Sequence, residues 1–139
     1  MPTPTIHELL ARRRDLTLNR DADGLAELYA PNAVIEMPFL GPTGTPMRVE
    51  GRESIRAYAR AVVASPVQLE SYEVVGCHLT QDPEVVIVEM QAEVRPTANH
   101  KSVTTESIQV LRLAQGLIVL IRDYANPLIQ ADLAAAASS

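Results

Sequence analysis

The sequence is poor in the residues that cross-link a chain or anchor it in a membrane. Cysteine occurs once, as Cys77, and tryptophan is absent. A single cysteine excludes an internal disulfide and a thiolate cluster for a metal, and most lone cysteines are small buried hydrophobes. No stretch approaches the roughly 20 apolar residues of a membrane span, and residues 1–5 lack the basic start of a secretory leader. We therefore expect a cytoplasmic protein without a membrane partner.

Basic charge is also scarce. Twelve Lys and Arg residues stand against 17 Asp and Glu residues, the net charge is -5, and the basic residues are scattered. This pattern argues against a nucleic-acid partner. The three histidines, His7, His78 and His100, lack the close spacing of metal ligands, so we predict no metal.

Several catalytic and nucleotide-binding motifs are missing. The sequence contains no G-x-S-x-G elbow, no G-x-G-x-x-G turn and no Walker-type loop. Their absence argues against an α/β-hydrolase, a Rossmann enzyme and a P-loop protein. We predict chemistry that needs no cofactor.

What is present suits one folded unit. The chain has 139 residues, of which 47% are hydrophobic, and a core of ordinary size is expected at this length. No linker or internal repeat divides it, so residues 1–139 are predicted to form one domain. The alanine-rich tail from about residue 130 is expected to begin as a helical turn and then fray.

Three helices are predicted in the first half. Residues 6–19 follow a Thr5/Glu8 capping box with apolar residues at helical spacing. Asp21 can cap a short second helix that carries Leu25, Leu28 and Tyr29 and ends at Pro31. The third helix covers residues 51–65.

The predicted strands lie mostly in the second half. Residues 33–39 form a short strand, and the Gly/Pro-rich loop at 41–46 is expected at a pocket rim. After Pro66 the hydrophobic period changes to two, which predicts four strands joined by hairpins, at about 67–79, 83–95, 102–113 and 117–125. Helices on one side of an antiparallel meander define an α+β fold.

Asp123 is the strongest candidate for chemistry. It belongs to a row of alternate residues on the last strand that is otherwise apolar, Leu117, Val119, Ile121 and Ala125. Burial raises the pKa of such a carboxyl towards the range useful in acid/base catalysis. The alternative is that Asp123 pairs with an arginine or caps the tail at the strand end.

Other polar residues can complete a site. Thr105, Ser107 and Gln109 share one face of their strand and either line a pocket or form a solvent face. Glu36 is a second candidate carboxylate or a rim residue. Arg122, Tyr124 and Asn126 have the opposite parity to Asp123, although the Asn126-Pro127 step can turn Asn126 towards the pocket. Tyr58 and Arg14 can supply hydrogen-bond donors, with Tyr58 alternatively a core residue.

Four short segments resemble nuclear transport factor 2-like, SnoaL-like proteins. They are Asn19-Arg-Asp-Ala-Asp-Gly-Leu25, Glu36-Met-Pro-Phe39, Glu50-Gly-Arg52 and Arg122-Asp-Tyr-Ala-Asn-Pro127. The resemblance covers nearly the whole chain and implies a cone-shaped α+β barrel. In that fold a curved antiparallel sheet wraps around the N-terminal helices, encloses a pocket and pairs two copies as a homodimer.

The last strand resembles those of phenazine-biosynthesis A/B proteins and limonene epoxide hydrolases, in which an acid at the position of Asp123 is catalytic. Two departures limit the comparison. Met37 stands where the family's steroid isomerases carry their aspartate base, and Arg14 lies near their catalytic tyrosine. Met90 and Ala92 stand where the epoxide hydrolases need an arginine and a second aspartate. The resemblance leaves Asp123 as a single acid beside Met90, Ala92, Ile121 and Ala125, with Ser107 or Gln109 nearby.

The sequence therefore predicts a small-molecule enzyme of secondary-metabolism type, similar to polyketide cyclases. Asp123 would move a proton during isomerisation, cyclisation or dehydration of an apolar, carbonyl-bearing substrate. One alternative is a non-catalytic ligand-binding or dimerisation module. Another is an epoxide hydrolase with rearranged partners, which requires a carboxylate such as Glu36 or Glu89 beside Asp123.

Overall fold

The computed structural model describes residues 3–137, which form helices packed against a curved six-stranded sheet. The predicted α+β class is confirmed. The elements, in chain order, are α1 Ile6–Leu18, α2 Ala22–Ala26, β1 Tyr29–Met37, β2 Met47–Glu50, α3 Arg52–Ala64, β3 Gln68–Leu79, β4 Val85–Arg95, β5 Val103–Ala114, β6 Leu117–Ala125 and α4 Pro127–Ala137.

The first two helices begin where local side chains satisfy their free N–H groups. At α1, Thr5 Oγ1 accepts from the Glu8 N–H at 3.1 Å, and Glu8 Oε1 accepts from the Thr5 N–H at 3.2 Å. At α2, Asp21 Oδ1 accepts from the Gly24 N–H at 2.8 Å. Both helix starts match the predictions because capping depends on residues a few positions apart.

The sheet has the order β2-β1-β6-β5-β4-β3. Strands β3 to β6 form the predicted antiparallel meander. Strand β1 pairs in parallel with β6, and the four-residue β2 pairs antiparallel with β1. Neither pairing was predicted. Strand β2 directly follows the loop at 41–46, where no strand was assigned, and β1 pairs with β6 across a long separation in the sequence.

The expected end of the second helix at Pro31 was wrong. Helix α2 ends at Ala26, and Tyr29 already belongs to β1. Pro31 lies inside β1, where the register with β6 shifts between Tyr29 and Val34. A proline is tolerated at such an irregularity because the ladder does not require its missing N–H.

Helix α4 occupies the segment for which only a helical turn and a frayed end were expected. It extends from Pro127 to Ala137. Leu133 is buried against Ala92 and Val94 of β4, and Ile129 packs on the same cluster. Burial of these side chains stabilises a helix whose alanine-rich end the sequence alone suggested would fray.

The hydrophobic core lies between the helices and one face of the sheet. It contains Leu9 and Leu10 of α1, Ile55 of α3, and alternate residues of the central strands such as Val88 and Leu111. No helix within residues 3–137 is long and apolar enough to span a membrane.

Candidate active site

Asp123 faces the interior from β6, although the row predicted around it was partly wrong. Ile121 and Ala125 are buried on the same side as expected. Before them, however, the pairing with β5 changes from Arg112↔Leu120 to Leu113↔Ile118, which leaves Val119 as an extra residue in β6. This bulge reverses the alternation, so that Ile118 is buried while Leu117 and Val119 are only partly covered.

The Asp123 carboxylate has one side-chain partner among residues 3–137. Its Oδ2 accepts from Gln109 Nε2 at 3.2 Å, whereas Oδ1 is buried without a hydrogen-bond partner. Burial raises the pKa of Asp123, opposed by the Gln109 hydrogen bond and by the positive charge of Arg13. In the described residues the Asp123 carboxylate therefore forms no arginine ion pair. The tail helix is capped by Asn126 instead, whose Oδ1 accepts a hydrogen bond from the Leu128 N–H at 3.0 Å. A partly desolvated carboxylate of this kind suits proton transfer.

Arg13 is the functional candidate that the sequence analysis missed. It is 4% exposed, and its Nη2 donates to Gln109 Oε1 at 2.7 Å. The same nitrogen lies 3.6 Å from Met90 Sδ, and the guanidinium stands 5.9 Å from the ring centre of Tyr72. Gln109 thus accepts from Arg13 through its oxygen and donates to Asp123 through its nitrogen, which fixes the orientation of the amide.

Arg14, the arginine chosen from the sequence, lies on the outside of α1. Its side chain is 43% exposed and forms an ion pair with Glu73 at 3.2 Å. Arg13 instead shares the buried face of the helix with Leu9 and Leu10, four and three residues earlier. The helical spacing of those leucines was the signal that would have distinguished Arg13 from Arg14.

A cavity of about 220 Å³ opens beside these residues. It exceeds the roughly 150 Å³ space that holds a benzene molecule. Arg13, Gln109 and Asp123 lie in its wall together with Tyr58. The rest is mainly aliphatic, with Leu25, Ile35, Met37, Ile55, Ala59, Val62, Val63, Val67, Leu69 and Ile121 among the lining residues. The wall favours an apolar ligand that has few polar groups.

Buried tyrosines bring further hydroxyl groups to this cavity. Burial raises the pKa of Tyr29 to about 12. Burial also raises the pKa of Tyr58, with a smaller contribution from the Asp123 charge. Tyr58 Oη lies 3.9 Å from Met37 Sδ. Both phenols therefore stay protonated at neutral pH.

A second cavity, of about 170 Å³, lies on the other side of Asp123 under α4. It shares Tyr72, Gln109 and Asp123 with the first cavity. Its remaining lining includes Met90, Ala92, Thr105, Ser107, Ala125 and Asn126, which the sequence singled out, and Ile129 and Gln130 of α4. The candidate residues are thus divided between an apolar and a more polar space that meet at Asp123.

Glu36 lines neither cavity, contrary to the sequence-based prediction. Its carboxylate is held by Arg48 at 3.1 Å and Arg122 at 3.4 Å. Its neighbours Ile35 and Met37 face the first cavity, so the alternation of β1 directs Glu36 to the opposite side. The loop at 41–46 is also absent from both cavity walls.

The hydrolase alternative required a second carboxylate beside Asp123. Glu36 is turned away, and Glu89 pairs with His78 at 2.8 Å on an exposed part of the sheet. Neither residue can therefore assist Asp123 in the described geometry. Within residues 3–137, no three His, Cys, Asp or Glu side chains are grouped as metal ligands would be.

Comparison with known proteins gives consistent relatives. An uncharacterised PhzA/B-like protein of Pseudomonas aeruginosa is 35% identical over 125 residues, which cover 87% of this chain and 84% of that protein. The crystal structure of a Bacillus subtilis protein provisionally named an isomerase is 28% identical, with a TM-score of 0.83, and the match covers 94% of this chain and 92% of the other.

A third relative acts in ring formation. SalBIII, an epoxide hydrolase/cyclase-like enzyme in pyran ring formation of the polyether salinomycin, is 25% identical with a TM-score of 0.68. The match covers 86% of this chain and 89% of SalBIII. The sequence model of the SnoaL-like domain matches residues 11–121, well over half of the chain. This protein therefore belongs to the SnoaL-like domain family, as its short motifs and its fold had indicated.

Proposed function

We propose that this protein is a cofactor-independent enzyme of isomerase or cyclase type that acts on a small, apolar, carbonyl-bearing metabolite. The observation that carries the proposal is the position of Asp123. Its carboxylate lies in the wall shared by two cavities, is held through one oxygen by Gln109, and has its other oxygen unpaired. Such a group can accept a proton at one point of a bound molecule and return it at another.

The relatives support the same class of reaction. SalBIII is described as cyclase-like, and the Bacillus subtilis structure carries a provisional isomerase name. Both cover most of this chain at 25% and 28% identity. Isomerisation and ring closure both depend on moving protons within one substrate molecule, which a single acid/base can perform.

The expected mechanism begins with ionised Asp123. The carboxylate removes a proton from a carbon next to the substrate carbonyl, and the C–H electron pair moves into the carbonyl system to form an enolate. Gln109 keeps the carboxylate aimed by donating to Oδ2. Asp123 then returns the proton to another atom of the substrate. In ring closure, the enolate carbon instead attacks a second carbonyl carbon of the same molecule, and the C=O π electrons move to that oxygen, which takes the proton from Asp123. The aliphatic wall keeps water away from the intermediate.

The activity is testable through proton exchange with simple ketones. In D₂O, the protein should speed deuterium incorporation at the carbon next to the carbonyl of butyrophenone or 2-cyclohexenone. The loss of the corresponding proton NMR signal measures the rate. Because ionised Asp123 is the base and burial raises its pKa, the rate should rise with pH, with a midpoint above the ordinary aspartate value, and then level off. Ketone binding without any exchange above the buffer rate would favour the non-catalytic binding module.

Dimerisation through the sheet is a further part of the proposal. The outer face of the sheet exposes Val75 and Ile108, and Ile108 pairs across the strands with Tyr124, whose ring contacts Phe39 at 5.5 Å. These exposed apolar side chains, with Glu89 opposite Ile108 at their border, favour contact with a second copy. Ile108→Lys should shift the protein towards monomer in sedimentation equilibrium, whereas Lys101→Ala, in the loop after β4, should not. An unchanged association constant for Ile108→Lys would contradict this interface.

A further inference from the structure

Arg13 is a buried cation whose direct partners carry no charge. Its guanidinium contacts the Gln109 amide oxygen, the Met90 sulfur and the ring of Tyr72. A buried charge is costly unless an opposite charge balances it. Asp123 can supply that balance from the other side of the Gln109 amide, and the charge of Arg13 in turn lowers the pKa of Asp123 against the effect of burial.

The ionisable groups around the apolar cavity show that few negative charges are available to balance Arg13. They are Arg13 on α1, Arg20 after α1, Tyr29 on β1, Tyr58 on α3, Tyr72 on β3 and Asp123 on β6. Arg20 is exposed and donates to the Val63 carbonyl oxygen. Glu106 reaches only the second cavity and is exposed. Asp123 is therefore the only carboxylate in the described wall of the apolar cavity.

Both members of this charge pair also have an unpaired atom. Arg13 Nε and Asp123 Oδ1 are buried and lack hydrogen-bond partners within the described chain. One is a donor and the other an acceptor, and both side chains belong to the same cavity wall. Buried polar atoms are rarely left without partners. A carbonyl compound in this cavity would lie beside both charged side chains.

We propose that Arg13 is a second catalytic residue, which binds the carbonyl oxygen of a neutral, enolisable substrate and stabilises the enolate. This inference rests on the function proposed for Asp123. As Asp123 takes the proton, its own negative charge disappears and one negative charge forms on the substrate oxygen. Arg13 faces one anion before the step and one after it, so the net charge of the cavity does not change.

The same charge count selects the substrate class. A ligand that already carries a carboxylate would bring a second anion beside ionised Asp123, with one buried arginine to balance both. A ketone, aldehyde or ester brings none until proton transfer begins. The cavity is therefore suited to neutral carbonyl compounds, and it should bind a preformed enolate well only when position 123 is uncharged.

Binding of two matched probes tests the role of Arg13 without requiring turnover. Benzoylacetone forms a stable enolate that absorbs differently from the neutral molecule, and butyrophenone has the same carbon skeleton with one carbonyl group. In the Asp123→Asn background, which imitates the protonated acid, benzoylacetone should bind as its enolate more tightly than to the wild-type protein at neutral pH. Adding Arg13→Met should weaken enolate binding by about 10–100-fold, as expected when a hydrogen bond to a charged group is lost.

The controls separate a direct contact from a structural effect. Butyrophenone binding should change by less than about threefold in Arg13→Met, and Arg13→Lys should restore part of the enolate affinity because it keeps the charge. Equal losses for both probes, or none for either, would overturn the proposal. So would tighter enolate binding by the wild-type protein than by Asp123→Asn, or failure of the wild-type protein to bind butyrophenone at millimolar concentration.

The two proposals fail in distinguishable ways. If Asp123 is not the base, proton exchange survives its substitution while the enolate preference still depends on Arg13. If Arg13 is only structural, Arg13→Met changes enolate binding and ketone binding equally, while proton exchange remains dependent on Asp123. Circular dichroism of each variant shows whether the fold is retained.

Discussion

The variant Asp123→Asn is expected to lose proton-exchange activity by about 10²–10⁴-fold, the contribution of one positioned acid/base. Asparagine has nearly the same shape and can still accept the hydrogen bond that Gln109 donates to Oδ2. It cannot take up a proton at neutral pH. The ketone should therefore bind with an affinity close to that of the wild-type protein, while deuterium incorporation measured by NMR slows.

The matched control for this variant is Glu93→Gln. Glu93 is an exposed carboxylate on β4 and lines neither cavity. Its conversion to the amide should leave the exchange rate unchanged. Near-normal exchange by Asp123→Asn, with binding intact, would remove Asp123 from the mechanism.

The variant Asp123→Asn should also show that ionised Asp123 lowers the stability of the folded protein. Burial raises the pKa of Asp123 in the folded chain, so the folded state holds its proton to a higher pH than the unfolded state does. The stability contributed by the neutral acid is complete below the ordinary aspartate pKa and is lost as pH rises through the raised value. Burial outweighs the attraction of Arg13 and the Gln109 hydrogen bond in setting this pKa. Asp123→Asn should therefore be more stable than the wild-type protein at neutral pH, with the difference vanishing near pH 3 in urea unfolding. A destabilised variant at neutral pH would contradict this account.

Leu111→Ala is expected to lower the free energy of unfolding by about 2–5 kcal/mol. Leu111 is 0% exposed and lies on the inner face of β5. Its cross-strand partners, Val86 on β4 and Ile121 on β6, are themselves buried. The close-packed neighbours cannot fill the space left by the missing side-chain atoms, so a cavity remains. Equilibrium unfolding in urea at constant m-value measures the loss.

Leu79→Ala provides the control for that experiment. Leu79 lies at the end of β3 and is 76% exposed. The same change of residue type at this position should alter stability by no more than about 0.5 kcal/mol. Similar losses for the two variants would show that the central strands do not form the core described above.

Much of the fold followed from local patterns in the sequence. The Thr5/Glu8 capping box and the Asp21 cap set the helix starts, and the change to an alternating pattern after Pro66 marked the meander. These features depend on residues close together in the chain. The parallel β1–β6 pairing and the length of α4 were not predicted, because each depends on a strand far away in the sequence. The β6 bulge was missed although its partner β5 is the neighbouring strand, because a strict alternation of residues does not reveal an extra residue.

The candidate site, like the fold, was predicted only in part. A single carboxylate near the end of an apolar strand drew attention to Asp123, and Gln109 was recognised on the adjacent strand. Glu36 was misplaced, because an alternating pattern fixes which residues share a face and leaves open which face lies inside. Arg14 was chosen in place of Arg13 although the buried leucines of α1 favoured its neighbour.

The sequence by itself therefore determined the α+β class, the meander and the prominence of Asp123. Periodicity and capping depend on residues that are close together in the chain. Only the tertiary structure decided that Arg13 and Gln109 reach Asp123, since these side chains lie on α1, β5 and β6 and meet through the packing of the helix on the sheet. The division of the interior into two cavities that meet at Asp123 has the same cause, because each wall combines side chains from several elements.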